Sequence, residues 1–191
     1  MRCLSVSIAL ALLVAPSLLR AEQAPIRDFV GRWQGSEISK PADDVASNDI
    51  RIVVRPRDQG FELAWTDLNT DDRNARPDRT IEARFVPTAR PGVFEFAPKP
   101  GSFLDRMFAS PSTGNPLNGE TLLWARVQAN TLAVYSLSID SDGRFDLDHY
   151  LWTATEDGLT LRYSRRNQDL DDEVTVEGLL TSIGDGSSIG D

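Results

Sequence analysis

The sequence has one cysteine, one histidine and two lysines in 191 residues, and each scarcity excludes a class of function. Cys3 lies near the N-terminus, so the rest of the chain has no thiol for catalysis, no disulfide framework and no cysteine ligand for zinc. Lys40 and Lys99 are the lysines, and the formal net charge is −9. An acidic chain with scattered arginines is poorly matched to a phosphate backbone, so we expect no nucleic acid partner.

Long apolar runs are also absent outside the N-terminal segment, and that segment is typical of a signal peptide. Within residues 1–21, Arg2 gives a positive start, residues 4–19 are apolar apart from serines, and Ala21 is a plausible cleavage point. The run is too short and too interrupted for a transmembrane helix. We therefore expect a periplasmic or secreted protein with no membrane insertion after leader removal. One domain over 22–183 and a flexible tail over 184–191 would remain.

Alternating apolar and polar residues recur through the remaining chain, with turn signals between the segments. The predicted strands are 33–38, 50–55, 61–66, 80–86, 92–97, 122–128, 131–139, 145–155, 159–165 and 173–180. Most connections are too short for the crossovers that parallel strands need. The pattern predicts an all-β fold, a single antiparallel up-and-down barrel of roughly 8–10 strands, because closure removes the exposed edges. A two-sheet β-sandwich stays open as the alternative.

Residues 28–33 resemble the N-terminal motif of the lipocalins and the wider calycin barrels, in which a short helical turn leads to Gly-x-Trp. The resemblance implies that Gly31 and Trp33 form the closed end of the barrel and that a late-strand arginine stacks on the indole. The candidates for that arginine are Arg162, Arg165 and Arg166. We assign Arg165. The mid-chain Thr-Asp-Tyr motif and the disulfides of secreted lipocalins are absent, so a lipocalin-like protein fits better than a member of the family proper.

The resemblance and the abundant strand aromatics predict a small hydrophobic or amphipathic ligand inside the barrel. Phe61, Leu63 and Trp65 share one strand face, and Arg126 is placed to anchor a carboxylate. The candidate ligand-binding residues are Phe61, Leu63, Trp65, Trp124, Arg126, Tyr135 and His149. An ordinary filled core is the competing interpretation of the same aromatics.

His149 is the one histidine, and on a strand it shares a face with Leu147 and Leu151. An apolar interior would turn that face inward, where His149 would contact a ligand, coordinate haem iron or act as a general base. A hydrogen-bonded structural role is the commoner one. No Gly-x-Ser-x-Gly elbow supports a catalytic triad. We predict no cofactor and no catalytic residue, and an enzyme using His149 stays open as the less favoured alternative.

The long segment 98–120 carries an apolar island whose helical spacing places its large side chains on one face. These residues are Phe103, Leu104, Met107 and Phe108. They would form a lid over the barrel or pack across its end. A filled barrel that docks an unidentified protein partner through this loop is a further alternative. Acidic loops at 67–78, 140–146 and 167–173 could be taken for calcium sites. The first lacks the glycine and the glutamate of an EF-hand, the second is first of all a hairpin turn, and solvated loop charge is the default, so we predict no metal.

Overall fold

The computed structural model describes residues 26–39, 50–68, 80–97, 114–168 and 174–184. Ten strands form a closed antiparallel barrel in which each strand pairs with its neighbours in sequence and the last pairs with the first. The strands are β1 (Gly31–Ser39), β2 (Arg51–Pro56), β3 (Phe61–Thr66), β4 (Thr80–Pro87), β5 (Val93–Phe96), β6 (Leu122–Gln128), β7 (Thr131–Ile139), β8 (Phe145–Thr155), β9 (Gly158–Asn167) and β10 (Val174–Gly184). The predicted up-and-down barrel is confirmed, and closure of the sheet excludes the sandwich.

All ten predicted strands lie within strands of the structure or overlap them closely, and the largest difference is at the C-terminus. The predicted last strand ends at Leu180, whereas β10 continues to Gly184, which pairs with Arg32. Extra pairing with β1 extends the strand, because the first strand of the barrel needs a partner on both sides. The predicted leader, the tail beyond Gly184 and the lid residues 103–108 lie outside the described residues.

One end of the barrel is built from short connections. A 3₁₀ helix at Ile26–Phe29 leads into β1, and the β2–β3, β4–β5, β6–β7 and β8–β9 hairpins turn at this same end. Gly60 in the first hairpin has φ +88°, and a Cβ there would overlap the carbonyl oxygen of Phe85. Only glycine combines that backbone conformation with so close an approach. We call this end the closed end, and the opposite one, where longer connections run, the open end.

Trp33 lies on the inner face at the closed end, opposite Ile52. Its indole N–H donates a hydrogen bond to the carbonyl oxygen of Phe29 at 3.0 Å. The Phe29 side chain is fully buried. The 3₁₀ helix is thereby held against the barrel by one apolar anchor and one hydrogen bond.

The inner face near the closed end is filled by aromatic and aliphatic side chains. Phe61 packs on Phe85 and Phe94, with ring centroids 5.2 and 5.1 Å apart. Leu159 and Leu180 close the other side and are fully buried. Burial of each such side chain contributes about 1.5–3 kcal/mol to the stability of the barrel.

No helix in the described part of the chain is long and apolar enough to cross a membrane.

Candidate functional site

The inner face changes character at the open end, on strands β7, β8 and β9. On β8 the alternation puts Tyr150 and Trp152 on the same face as Asp146 and Asp148, and both aromatic side chains are 2% exposed in the core. That face is therefore the inner one. Register places Ser136 of β7 and Arg165 of β9 on either side of Asp148. We define the polar arc as Ser136, Asp146, Asp148, Tyr163 and Arg165.

Hydrogen bonds link the charged members of the polar arc. The Tyr163 hydroxyl donates to Asp148 Oδ1 at 2.8 Å, and Arg165 Nη2 donates to Asp146 Oδ1 at 2.9 Å. Arg165 Nε lies 3.8 Å from Asp148 Oδ1, an ion-pair distance that exceeds a hydrogen bond. The Asp148 side chain is 14% exposed and that of Asp146 is 39% exposed. The arc thus runs from buried groups to groups that reach solvent.

Burial raises the pKa of the Asp148 carboxyl to about 6, because desolvation disfavours its charged form. The Tyr163 hydrogen bond and the Arg165 charge lower that pKa, and the neighbouring carboxylates Asp67 and Asp146 raise it. Burial also raises the pKa of Tyr163 and of Tyr150 far above neutral pH, so both phenols stay protonated. Asp148 is consequently a carboxyl group that changes charge close to neutral pH.

Tyr150 forms a floor beneath the polar arc by reaching across the barrel to the end of β3. Its hydroxyl accepts a hydrogen bond from the Leu68 N–H at 3.2 Å and donates to Asp67 Oδ1 at 3.3 Å. Its ring meets Trp65 edge-on, with centroids 5.9 Å apart, and stacks on Trp152 at 5.7 Å. Below this aromatic floor the interior is apolar, and above it the interior is polar along β7 to β9.

An apolar wall completes the open end away from the polar arc. Ile81 is the second residue of β4 and Phe96 the last of β5, at the strand ends away from the β4–β5 hairpin. Their pairing with Trp65 and Phe85 turns both to the inner face. Both side chains are half-buried and pack against the core. The open end therefore presents charged and hydroxyl groups on one side and hydrocarbon on the other.

The structure divides the sequence-predicted ligand residues between the two faces of the barrel. Phe61, Leu63 and Trp65 lie on the inner face and are buried within the core. Phe61 belongs to the closed end, while Trp65 belongs to the floor under the polar arc. Trp65 is thus the member of this group that lies next to the open end.

His149 lies on the outer face, which corrects the inward placement expected from the sequence. It belongs to a ladder of stacked rings, with Tyr135 at 4.4 Å and Trp124 next to Tyr135 at 4.8 Å. The inner face of β8 carries aromatic and carboxylate side chains, whereas the aliphatic side chains of Leu147 and Leu151 share the outer face with His149. The enzyme alternative requires a histidine in the interior beside a carboxylate. His149, on the outer face, does not meet that requirement.

Arg126 and Arg165 are also placed differently from the sequence expectation. Arg126 is exposed on the outer face, in register with Ala133. Arg165 pairs with Val174 at the start of β10, whereas Trp33 pairs with Ser182 near its end, a separation of roughly 26 Å at about 3.3 Å per residue. Arg165 is held at the open end by Asp146 and Asp148, so it does not stack on Trp33.

The acidic turn after β7 is closed by its own arginine. The Asp140 carboxylate accepts the backbone N–H groups of Asp142 and Arg144, and the Arg144 guanidinium pairs with both aspartates. The Arg144 N–H is the main cause that lowers the pKa of Asp140. Within the residues that the structure describes, no group of three or more histidine, cysteine or acidic side chains is arranged to hold a metal ion.

Sequence reasoning missed Asp146, Asp148, Tyr150 and Tyr163. The signal that could have found them is the two-residue turn between β8 and β9, which pairs Thr155 with Gly158. That register places the apolar residues that alternate along β9 opposite one face of β8. The pairs are Leu159 with Ala154, Leu161 with Trp152 and Tyr163 with Tyr150. The same register also sets Arg165 opposite Asp148.

Comparison of the chain with family models, with curated proteins and with solved structures finds no match. The barrel is consistent with a calycin-like fold. The properties of the polar arc follow from the distances and burial of its own residues.

Proposed function

We propose that the protein is an exported, lipocalin-like barrel that binds a small amphipathic molecule at the open end of its interior. The bound molecule would lie between the polar arc and the apolar wall, above the Tyr150 floor. The observation that carries the proposal is the change of the inner face from fully buried hydrocarbon to charged and hydroxyl groups, which range from buried Tyr163 and Arg165 to partly exposed Asp146, at this one end. The leader-like residues 1–21 support export.

The energetics support a binding role for the polar arc. Charged side chains in a barrel interior lose hydration, and apolar residues of similar volume would often be as stable or more so. A few polar groups that converge beside apolar walls are the usual composition of a small-ligand site. Asp148 and Arg165 are the most buried charged members of the arc, and they would orient the polar part of the ligand.

The test is native mass spectrometry of the mature protein purified from its own exported fraction, followed by denaturation and identification of what is released. A stoichiometric small molecule with both a polar and an apolar part is the expected result. Recovery of the protein in a cytoplasmic fraction with its leader intact would contradict export, and a protein of apo mass would contradict binding.

Two substitutions localise the site. Ser136→Trp introduces bulk on the inner face beside Asp148 and is expected to abolish occupancy. Thr160→Trp places the same bulk on the exposed outer face of β9 and is expected to leave occupancy unchanged. Equal loss in both variants, with the β-sheet circular dichroism retained, would argue against the polar end as the binding site.

A filled barrel that serves as a docking module is the second candidate, and the aromatic floor favours it. Three aromatic side chains contact one another across the barrel, and each is 2% exposed: Trp65, Tyr150 and Trp152. An empty protein in the mass spectrum, together with wild-type behaviour of Ser136→Trp, is the result that would favour docking over binding.

A further inference from the structure

We propose that the outer face of strands β6 to β8 is a docking surface for a second copy of this chain, and that the protein forms a symmetric dimer through it. The surface lies on the outside of the barrel. The inference therefore goes beyond the proposed function and does not depend on a ligand at the open end.

The outer face of β6 to β8 carries two apolar rows that cross the three strands in register, and all their side chains are half-buried. The first row is Leu122, Leu137 and Leu147, and the second is Trp124, Tyr135 and His149. We call these six residues the outer patch. Ile139 and Phe145 pair on the same face and extend it towards the open end. An apolar area of this kind on the outside of a protein is typical of an interaction surface.

The aromatic row of the outer patch is ordered before any docking. The Trp124 and Tyr135 rings are 8° from parallel, and the Tyr135 and His149 rings are 11° from parallel. Each ring is thus held by stacking on its neighbour. Side chains that are already fixed lose little conformational freedom when a partner binds, so docking costs less free energy.

The charges on the two sides of the outer patch identify a second copy as its occupant. On one side, Glu95 of β5 is exposed and pairs with Trp124 in the aromatic row. On the other side, β9 presents Arg162 and Arg166, both exposed, with the buried Ser164 between them in register with the same row. One edge of the patch is acidic and the other is basic, so the surface is complementary to a copy of itself.

A two-fold axis parallel to β7 brings the two unlike edges together. It places β7 over β7 of the second copy, β6 over β8 and β5 over β9, and the two sheets pack in the aligned class. Glu95 then lies over Ser164 of the second copy, whose small side chain leaves room between Arg162 and Arg166. An axis across the strands would instead set β5 over β5 and β9 over β9. The charges therefore favour the axis along the strands.

The other charges near the outer patch fit the same arrangement. Arg162 Nε lies 3.5 Å from Glu177 Oε1 of its own chain, whereas Arg166 has no ion-pair partner among the described residues. Arg166 is thus the arginine whose charge is available to the acidic edge of the second copy. Arg126 would lie over Leu151 of the second copy, where its hydrocarbon stem can pack while the guanidinium reaches solvent.

The area of the surface sets the expected strength of the dimer. Neighbouring strands are about 4.8 Å apart and alternate residues about 6.7 Å apart, so the outer patch with Ile139 and Phe145 covers about 250 Å² of sheet. The flanking positions of β5 and β9 roughly double it, and two copies would together bury about 1,000 Å², near the lower limit for a specific interface. We therefore expect a reversible dimer with a Kd in the micromolar range.

The experiment is sedimentation velocity of the mature protein over a hundredfold range of micromolar concentrations. We expect the weight-average mass to increase from that of one chain to that of two, with a Kd that increases with salt. Leu137→Lys puts a charge at the centre of the outer patch and is expected to raise the Kd at least tenfold. Leu179→Lys, at a half-buried outer position of β10, is the matched control and should dimerise as wild type does.

A charge swap tests the arrangement of the two copies and decides the matter if Leu137→Lys does not fold. Glu95→Lys and Arg166→Glu should each raise the Kd about fivefold, because each brings like charges together. The double variant should restore the Kd to within about twofold of wild type. A double variant that dimerises more weakly than either single variant overturns the proposed arrangement.

Two further outcomes would overturn the dimer itself. A dimer whose Kd is unchanged in Leu137→Lys would show that the chains associate through another surface. A protein that stays monomeric throughout the series would show that the outer patch has a different occupant. Flotation of that monomer with phosphatidylcholine vesicles would then identify a lipid surface as the occupant.

Discussion

The two ends of the barrel interior are made by the same strands and differ in how they bury their side chains. At the closed end, Phe61 and Phe85 are fully buried, Phe94 is 5% exposed, and the three rings interact through packing. At the open end, Asp148 and Arg165 keep their charges while losing most of their hydration. The closed end thus contributes stability through packing. The open end keeps ionisable side chains in the interior, at some cost in stability.

The difference follows from position along each strand. The inner residues nearest the short hairpins are enclosed by the 3₁₀ helix at Ile26–Phe29 and by Trp33, so hydrocarbon is the favourable choice there. The inner residues at the other end remain within reach of solvent, which allows carboxylates to keep part of their hydration. The comparison predicts that equivalent substitutions at the two ends have unequal effects.

The largest effect is expected at the closed end. Phe61→Ala removes a fully buried ring that contacts Phe85 and Phe94, and should lower the free energy of unfolding by about 3–5 kcal/mol. Phe96→Ala, on the half-buried apolar wall of the open end, should cost about half of that or less. Urea denaturation at pH 7 measures both. Equal costs would show that the two ends are packed alike and would remove the basis of the comparison.

A smaller but similar contrast is expected for two turn glycines with positive φ. Gly60→Ala at the closed end strains the backbone and forces a Cβ into the Phe85 carbonyl, so we expect a loss of about 3 kcal/mol. Gly143 at the open end has φ +80° and open space around a Cβ, so Gly143→Ala should cost only about 1 kcal/mol. Thermal and urea unfolding of the pair provide the measurement. A Gly143 variant that loses as much as the Gly60 variant would contradict the tight closed end.

The free energy of unfolding should depend on pH because of Asp148 at the open end. The pKa of Asp148 is raised from an ordinary 3.8 to about 6 in the folded protein, so the folded state holds its proton more tightly than the unfolded chain. The stabilising contribution of this group is fully present below about pH 4 and is lost as the pH rises through about 6. Over that window the loss amounts to about 2–3 kcal/mol.

Asp148→Asn carries no titratable group and isolates this contribution. The difference in free energy of unfolding, variant minus wild type, should increase by about 2 kcal/mol between pH 4 and pH 7. Denaturation series at several pH values measure it, and Asp142→Asn is the exposed control whose difference should stay flat. A flat difference for Asp148→Asn would mean that the carboxylate is well hydrated and that the open end is not desolvated.

The strands could be predicted from the sequence because alternation and turn residues act locally. The ten segments, their hairpins and the helical turn before Gly31 depend on near neighbours in the chain, whereas closure also requires β1 to pair with the distant β10. The faces of β8 could not be assigned in the same way, since one face offers Leu147 and Leu151 and the other Tyr150 and Trp152. An apolar interior favours the first face, because the second also carries Asp146 and Asp148, and the structure buries the second.

The polar arc depends on register between strands and not on composition. Asp148 and Arg165 are seventeen positions apart in sequence and meet because the β8–β9 turn aligns Thr155 with Gly158. The lipocalin resemblance pairs Arg165 with Trp33, yet on β9 the side chain that reaches the closed end is that of Leu159, opposite Leu180. A register argument applied to each tight hairpin would have recovered both the inward face of β8 and the Asp148–Arg165 pair.

The smallest effect is expected on the outer face and tests which side of the sheet binds. His149→Leu removes one ring from the Trp124–Tyr135–His149 ladder, and loss of that stacking should cost about 1 kcal/mol or less. Because His149 points away from the polar arc, ligand occupancy in native mass spectrometry should equal that of wild type. Tyr163→Phe, on the next strand but facing inward, removes the hydroxyl that donates to Asp148 and should reduce occupancy. A His149 variant that loses its ligand while the Tyr163 variant keeps it would place binding on the outside of the barrel, and the division between the two interior ends would then have no part in recognition.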